Sequence, residues 1–186
     1  METTIRHLSM DELHAGLDHI KASPKDEGVL EMIVIRPETD ERLSLDECEV
    51  SAKQGVHGDK WARGCWKSLP DGSPHPDVQV ALMNSRCIAL LAQDKTRWSL
   101  AGDNLFVDLD LSSDNLLPGQ RLAVGSALLE VTDVPHNGCH KFSARYGPDA
   151  VQFVNSADGK HLHLRGIYAR VVRDGRVRVG DVVKKM

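Results

Sequence analysis

The stretch Thr132-Asp133-Val134-Pro135-His136-Asn137-Gly138-Cys139-His140-Lys141-Phe142-Ser143-Ala144-Arg145-Tyr146-Gly147 sets a thiol between a Pro/Asn/Gly turn and a helix-compatible run. Lys141 and Arg145 are four residues apart, so a helix carries both on one face. A cysteine at the start of a helix, with cations beside it, sits in a field that favours thiolate, the form that ligates soft metals and attacks electrophiles. His136 and His140 flank the thiol as H-x-x-C-H, and imidazole exchanges protons near neutral pH. The competing reading is a buried small hydrophobe, because free cysteine is among the most buried residue types. A structural zinc site needs four ligands at paired spacing. Only this cluster has close partners, with His161-x-His163 available if a strand shows both on one face.

A second constellation is Gly55-Val56-His57-Gly58-Asp59-Lys60-Trp61-Ala62-Arg63-Gly64. Glycines let backbone N–H groups approach an anion, and Lys60 and Arg63 supply charge suited to phosphate. It is not a P-loop, since no GxxxxGK[ST] is present. A solvated surface loop with turn glycines is the plainer account. Gly102-Asp103-Asn104 has the composition of a tight turn. Arg165 is read at the start of a strand that also carries Tyr168.

The elements that must position these groups follow from local pattern. Ser9-Met10-Asp11-Glu12 is a capping box, and Leu13, Leu17 and Ile20 follow at helical spacing, ending before Ser23-Pro24. Val29 to Ile35 is rich in branched residues and stops at Pro37, as a strand does. Leu43 to Val50 reads as a further strand, or a strand and loop. A long polar loop, Gly55 to Asp77, follows; loops of that length are uncommon in compact domains and tend to be functional or disordered. Val78 to Met83 reads as a strand, and Asn84 or Ser85 caps a helix over Arg86 to Gln93. Leu105 to Leu109 is a strand, and Arg121 to Val131 a hairpin turning at Gly125-Ser126. Pro148 opens a helix through about Asn155. Leu164 to Val172 and Val177 to Val183 are expected to pair across Asp174-Gly175 as a hairpin. Many short strands, with helices outside the strand runs, indicate an α+β, β-rich fold: a barrel-like, mostly antiparallel sheet with short peripheral helices. Residues 1–24 are expected to form a helical extension packed outside a main domain over residues 25–186.

Composition narrows the classes. The 186 residues suit one domain. A formal net charge of −4 argues against a general nucleic-acid binder. No apolar run approaches the roughly 20 residues that span a bilayer, and Met1-Glu2-Thr3-Thr4-Ile5-Arg6 lacks the apolar core of a secretory signal. Cys48, Cys65, Cys87 and Cys139 form no CxxC pair and are expected to stay reduced. The expected setting is cytoplasmic, with neither a membrane nor a nucleic-acid partner.

Taken in order, several segments resemble the MOSC family, named for the C-terminal domain of molybdenum cofactor sulfurase, in its stand-alone bacterial form. They are Gly55-Val56-His57-Gly58-Asp59, Gly102-Asp103-Asn104-Leu105, Pro118-Gly119-Gln120-Arg121-Leu122-Ala123-Val124-Gly125, Cys139-His140-Lys141-Phe142 with Arg145-Tyr146-Gly147, and Leu164-Arg165-Gly166-Ile167-Tyr168-Ala169-Arg170. The ordered set covers roughly Gly28 to Val183. The family commonly has an arginine and a proline before its cysteine; this chain has His136-Asn137-Gly138.

The resemblance implies a β-rich barrel that binds molybdenum cofactor (molybdopterin), with Cys139 at the position of the family's metal-ligating or sulfur-carrying cysteine. It also carries an association with molybdenum-ion and pyridoxal phosphate binding, and implies reduction of N-hydroxylated small molecules with electrons from a separate donor protein. A sulfur carrier holding a Cys139 persulfide, or a non-catalytic cofactor- or anion-binding module, are the alternatives. For such a cofactor, Lys60, Arg63, Lys141, Arg145 and Arg165 are the available phosphate partners. Asp59, Asp103 and Asn104 suit the pterin edge, and His57, His136 or His140 suit proton transfer. Cys139 is expected at the base of an open, positively lined cleft.

Overall fold

The computed structural model describes residues 6–186. Met1 to Ile5, on which the reading of the N-terminus partly rests, lie outside the described residues. The capping box forms as expected: the Ser9 side chain accepts the Glu12 N–H, and the Glu12 carboxylate accepts the Ser9 N–H at 2.9 Å. The helix it starts is interrupted at Gly16, giving α1 (Met10–Ala15) and α2 (Leu17–Lys21). The remaining elements, in chain order, are β1 (Gly28–Ile35), β2 (Leu43–Leu45), β3 (Glu47–Ser51), β4 (Gly55–Val56), β5 (Val80–Asn84), α3 (Ser85–Ala92), β6 (Leu105–Asp108), β7 (Arg121–Val124), β8 (Ala127–Val131), α4 (His140–Tyr146), α5 (Pro148–Asn155), α6 (Ala157–His161), β9 (Ile167–Arg173), β10 (Gly175–Arg178) and β11 (Val182–Lys185).

Seven strands close into a barrel in the order β1, β6, β5, β9, β8, β7, β11 and back to β1, while β2 extends from the β1 edge. Among the described strands only β5 and β6 run parallel; the other pairings are antiparallel. A smaller sheet, β10-β3-β4, stands apart. Alternate residues divide between two cores. Leu30, Ile33, Val80, Leu82, Leu105 and Val107 face the barrel interior, whereas Val34, Met83 and Phe106 face an outer layer with Leu13, Ile88, Phe142 and Phe153 of the helices. Strand β5 is therefore buried on both faces, as parallel strands covered by helices are. This explains its weak alternation in sequence. Loss of a side chain such as Leu82, fully buried in the barrel, costs about 2–5 kcal/mol on truncation to Ala.

The expected hairpin between Leu164–Val172 and Val177–Val183 does not form. β9 lies between β5 and β8, β10 joins β3, and β11 pairs with β7 and β1. Asp174 directs its carboxylate to the N–H of Ala52 at 2.8 Å and so fastens the crossing to the small sheet instead of a tight turn. The run Leu43–Val50 likewise splits between two sheets, β2 on β1 and β3 on β10. The loop from Gly55 contains β4 and a short 3-10 helix over Lys60–Arg63. The sequence reading had no counterpart of α6.

Candidate functional site

Between β8 and α4 the chain is a strap held at its ends. Thr132 gives its N–H to the Tyr168 carbonyl at 3.0 Å and its hydroxyl to the Asp77 carbonyl at 2.7 Å. At the far end the Asn155 side chain both accepts the Gly138 N–H (2.8 Å) and donates to the Gly138 carbonyl (3.0 Å). Cys139 follows as the N-cap residue of α4, in extended conformation and without a side-chain capping bond. Its thiol is exposed, and the three other cysteines are also free. The expectation of a thiol at the base of a cleft is corrected: Cys139 stands open at the head of the helix. His140 beside it is exposed as well.

Behind this helix lies a buried polar cluster. Asp103 is fully buried and takes the Arg165 Nη1 at 2.6 Å on Oδ2. Arg165 also donates to the Ala101 carbonyl at 3.0 Å and lies over the Phe142 ring at 4.9 Å. The His136 ring stacks on Tyr168 with centroids 4.3 Å apart and turns Nδ1 to within 3.6 Å of Asp103 Oδ1. Gly166 makes this approach possible. It sits at φ +122, and a Cβ there would be 2.4 Å from the Leu82 carbonyl oxygen and 3.2 Å from both Asp103 Oδ1 and His136 Nδ1. Burial pushes the Asp103 carboxyl above its usual range against the pull of Arg165. Burial, then the charges of Arg165 and Arg36, drives His136 well below the usual imidazole value, so the ring is neutral at pH 7.

On the other side of Gly102-Asp103 stands a group of arginines. Arg42 lies against Gly102, whose φ of +85 and missing Cβ leave room for the guanidinium. Burial, then the charges of Arg145 and Arg36, lowers the pKa of Arg42. Arg145 and Lys141 on α4 each reach Asp40 Oδ1 at 3.6 Å, which ties the Arg36–Arg42 loop to the helix that Cys139 heads. The same loop receives Lys60 at Thr39 (3.4 Å) and Arg63 at Glu38 (3.1 Å). Among the described residues, four buried side-chain atoms lack a hydrogen-bond partner: Arg42 Nε, Asp103 Oδ1, His136 Nδ1 and Arg165 Nε. All four flank Gly102-Asp103. Buried polar groups are rarely left unpaired, which makes this the candidate site; two of the four, Asp103 Oδ1 and His136 Nδ1, face each other at 3.6 Å.

Other residues singled out from the sequence are placed differently. Asp59 accepts three bonds from Arg36 (2.8, 3.0 and 2.8 Å) and one from the Trp61 N–H (3.1 Å). Burial alone would raise the Asp59 carboxyl, but its bonds and charge interaction with Arg36 hold it below the usual carboxylate range. Asn104 accepts the Ala81 N–H and donates to Val34 and Asp59. Asp59 and Asn104 are thus internal braces that fix Arg36, not free edges for a pterin. His57 lies in neither group, and its neighbours are Ser51 and Glu49. Arg165 precedes β9 by two residues instead of starting it. His161 ends α6 and His163 occupies a turn at φ +51, so no strand face carries both. Arg36 and Arg42 were missed in sequence. An isolated arginine beside Pro37 or Glu41 carries no local signal of burial.

Beyond His136 and Arg165 a cavity of about 460 Å³ opens, walled by Leu116, Val131, Val154 and Ile167 with Lys160 at its side. Asn137 also lines it, two residues from Cys139, a span of at most about 7 Å of extended chain.

The sequence profile of the MOSC domain matches residues 75–184, more than half of the chain. The chain belongs to the MOSC domain family. Its fold is similar to those of solved relatives. The YuaD protein of Bacillus subtilis matches with a TM-score of 0.59 at 22% identity, over 85% of this chain and 94% of that one. YiiM of Escherichia coli matches at 0.55 and 17% identity, over 85% and 69%. YiiM of Geobacillus stearothermophilus matches at 0.52 and 16%, over 88% and 74%. No curated protein sequence matches the chain. In this MOSC domain, no described helix is long and apolar enough to cross a membrane. Among its described residues, no group of three or more His, Cys, Asp or Glu side chains is placed to hold a metal ion.

Proposed function

We propose that this MOSC domain binds the molybdenum cofactor and reduces N-hydroxylated small molecules, with Cys139 as the protein's ligand to the metal. The observation that carries the reading is the set of four buried atoms, on Arg42, Asp103, His136 and Arg165, that lack hydrogen-bond partners among the described residues. The charges of Arg36 and Arg145 act on Arg42, and Arg145 stands on the helix that Cys139 heads. The donor set fits the group. A cofactor that brings its own dithiolene needs one soft ligand from the protein, and Cys139 offers an exposed sulfur without a capping bond. Its phosphate needs cations, and Arg42, whose Nε lacks a hydrogen-bond partner, stands with Lys141 and Arg145, which would exchange Asp40 Oδ1 for it.

The other residues have structural parts in this scheme. Arg36 is fixed by Asp59, and Asp59 by Asn104, so the cationic wall is preorganised. The cofactor, when bound, supplies the two-electron couple, and the electrons come from a separate donor protein. His136 carries its proton on Nδ1 toward Asp103, which leaves Nε2 as the nitrogen that exchanges a proton with a substrate. The 460 Å³ cavity beside it takes the apolar body of that substrate.

The test is anaerobic purification from a host that makes the cofactor, with metal analysis and an amidoxime reductase assay. Molybdenum is expected in the wild-type protein and lost in Cys139→Ser. Metal-free wild-type protein from such a host overturns the reading. A sulfur-carrier role is the second reading, favoured by the exposure of the Cys139 thiol. Incubation with a cysteine desulfurase and mass spectrometry decide it, since a carrier gains one sulfane sulfur at Cys139.

A further inference from the structure

On the small sheet, strand register builds an arrangement that the cofactor reading does not use. Val50 pairs with Val56 and Ser51 with Gly55, and the His57 N–H continues the ladder to the Glu49 carbonyl at 3.0 Å. Val50 and Val56 are buried, at 1% and 0% exposure. Side chains alternate along a strand, so Glu49, Ser51 and His57 share the outer face. There, Ser51 Oγ lies 2.9 Å from His57 Nε2, and His57 Nδ1 lies 3.5 Å from Glu49 Oε2. Arg176 pairs across from Glu49 on β10 and reaches it at 3.1 Å. These four residues line an open groove of about 430 Å³.

Nucleophile, base and orienting carboxylate thus stand in sequence. The Glu49 carboxylate favours the tautomer with the proton on Nδ1, which leaves the Nε2 lone pair facing the Ser51 hydroxyl. The Gln54 N–H donates to Ser51 Oγ at 3.1 Å and helps to fix the position of that oxygen. Rotation of the three groups is limited because all stand on, or directly beside, paired strands.

We propose that this groove is a second, hydrolytic site, acting on short-chain acyl esters through Ser51, His57 and Glu49. Ser51 Oγ attacks the acyl carbon while its proton passes to His57 Nε2. The ester C–O bond breaks, and the leaving alkoxide takes that proton. Water then attacks the Ser51 acyl ester, gives a proton to His57, and releases the carboxylic acid as Ser51 recovers its hydrogen. Arg176, held by Glu47 at 3.2 Å and Glu49 at 3.1 Å, is the cation on the groove wall. No cofactor enters these steps, so the site stands or falls apart from the function proposed above.

The full chain is treated with a fluorophosphonate probe and, separately, with p-nitrophenyl acetate, and modified peptides are mapped by mass spectrometry. The expected result is a single phosphonyl adduct on Ser51 and an acetyl group on the same residue during turnover. Ser51→Ala abolishes both, His57→Gln slows labelling by about 100-fold or more, and Glu49→Gln slows it by about 10-fold or more. Each variant is checked for native circular dichroism. Wild-type protein with no adduct at Ser51, or with label on Cys139 instead, overturns the proposal. So does His57→Gln labelled at the wild-type rate.

Discussion

His136 Nδ1 and Asp103 Oδ1 face each other at 3.6 Å across Gly166, and neither atom has a hydrogen-bond partner among the described residues. The pair joins the strap that leads to Cys139 to the arginine cluster at Gly102. At that distance the carboxylate orients the imidazole by its charge and not by a hydrogen bond, and the placement bears on both the chemistry and the stability of the site.

The first expectation concerns pH. The folded-state pKa of His136 is depressed by burial, so the folded protein resists protonation that the unfolded chain accepts. Its contribution is full above the unfolded value near 6.5 and is lost as pH falls below it toward the lower folded value. The slope is about 1.4 kcal/mol per pH unit for one proton. Denaturant unfolding between about pH 7.5 and pH 5 shows this loss in the wild type. His136→Phe keeps the stack on Tyr168 and flattens the difference. Parallel slopes in the two proteins contradict the assignment.

Gly166→Ala tests the close approach. The added carbon meets the Leu82 carbonyl at 2.4 Å in a backbone conformation unfavourable to L-residues. A loss of about 2–3 kcal/mol is expected, seen as a melting point about 4–10 °C lower. An unchanged melting point means that the strap relaxes freely.

Arg42→Met addresses the cationic cluster. Removing a guanidinium crowded by Arg36 and Arg145 raises the melting point of the cofactor-free protein by about 1–3 °C at low salt. The gain shrinks at high salt as screening relieves the wild type. The same variant purifies with less molybdenum than wild type. A lower melting point at low salt shows that Arg42 has a stabilising internal role.

Asn155→Ala removes both bonds that hold Gly138. A cost of about 1–2 kcal/mol is expected, together with roughly 10-fold faster hydrogen exchange at the Gly138 amide, since 1.4 kcal/mol is a factor of ten. Exchange at the wild-type rate locates the anchor of the Cys139 strap elsewhere.

Much of the architecture is legible in the chain because its signals are local. The Ser9/Glu12 capping box, the Asn84 cap of α3 and the Gly125-Ser126 turn each act within a few residues, and each appears where the pattern puts it. The Asp174-Gly175 signal misleads for the complementary reason. Type I′ chemistry specifies a turn, yet β9 gains more by lying between β5 and β8, where Ile167, Ala169 and Val171 complete the barrel interior. Strand partners that lie far apart in the chain leave no local trace.

The candidate site divides along the same line. The run around Cys139 determined a thiol at a helix head with Lys141 and Arg145 on one face, because helix periodicity and capping are properties of contiguous residues. Only the tertiary structure decided that Asp59 and Asn104 are internal braces, that Arg36 and Arg42 complete the cationic group, and that His57 turns to Ser51 and Glu49. Barrel closure sets which distant side chains meet, and burial then decides which polar atoms are satisfied and which remain free.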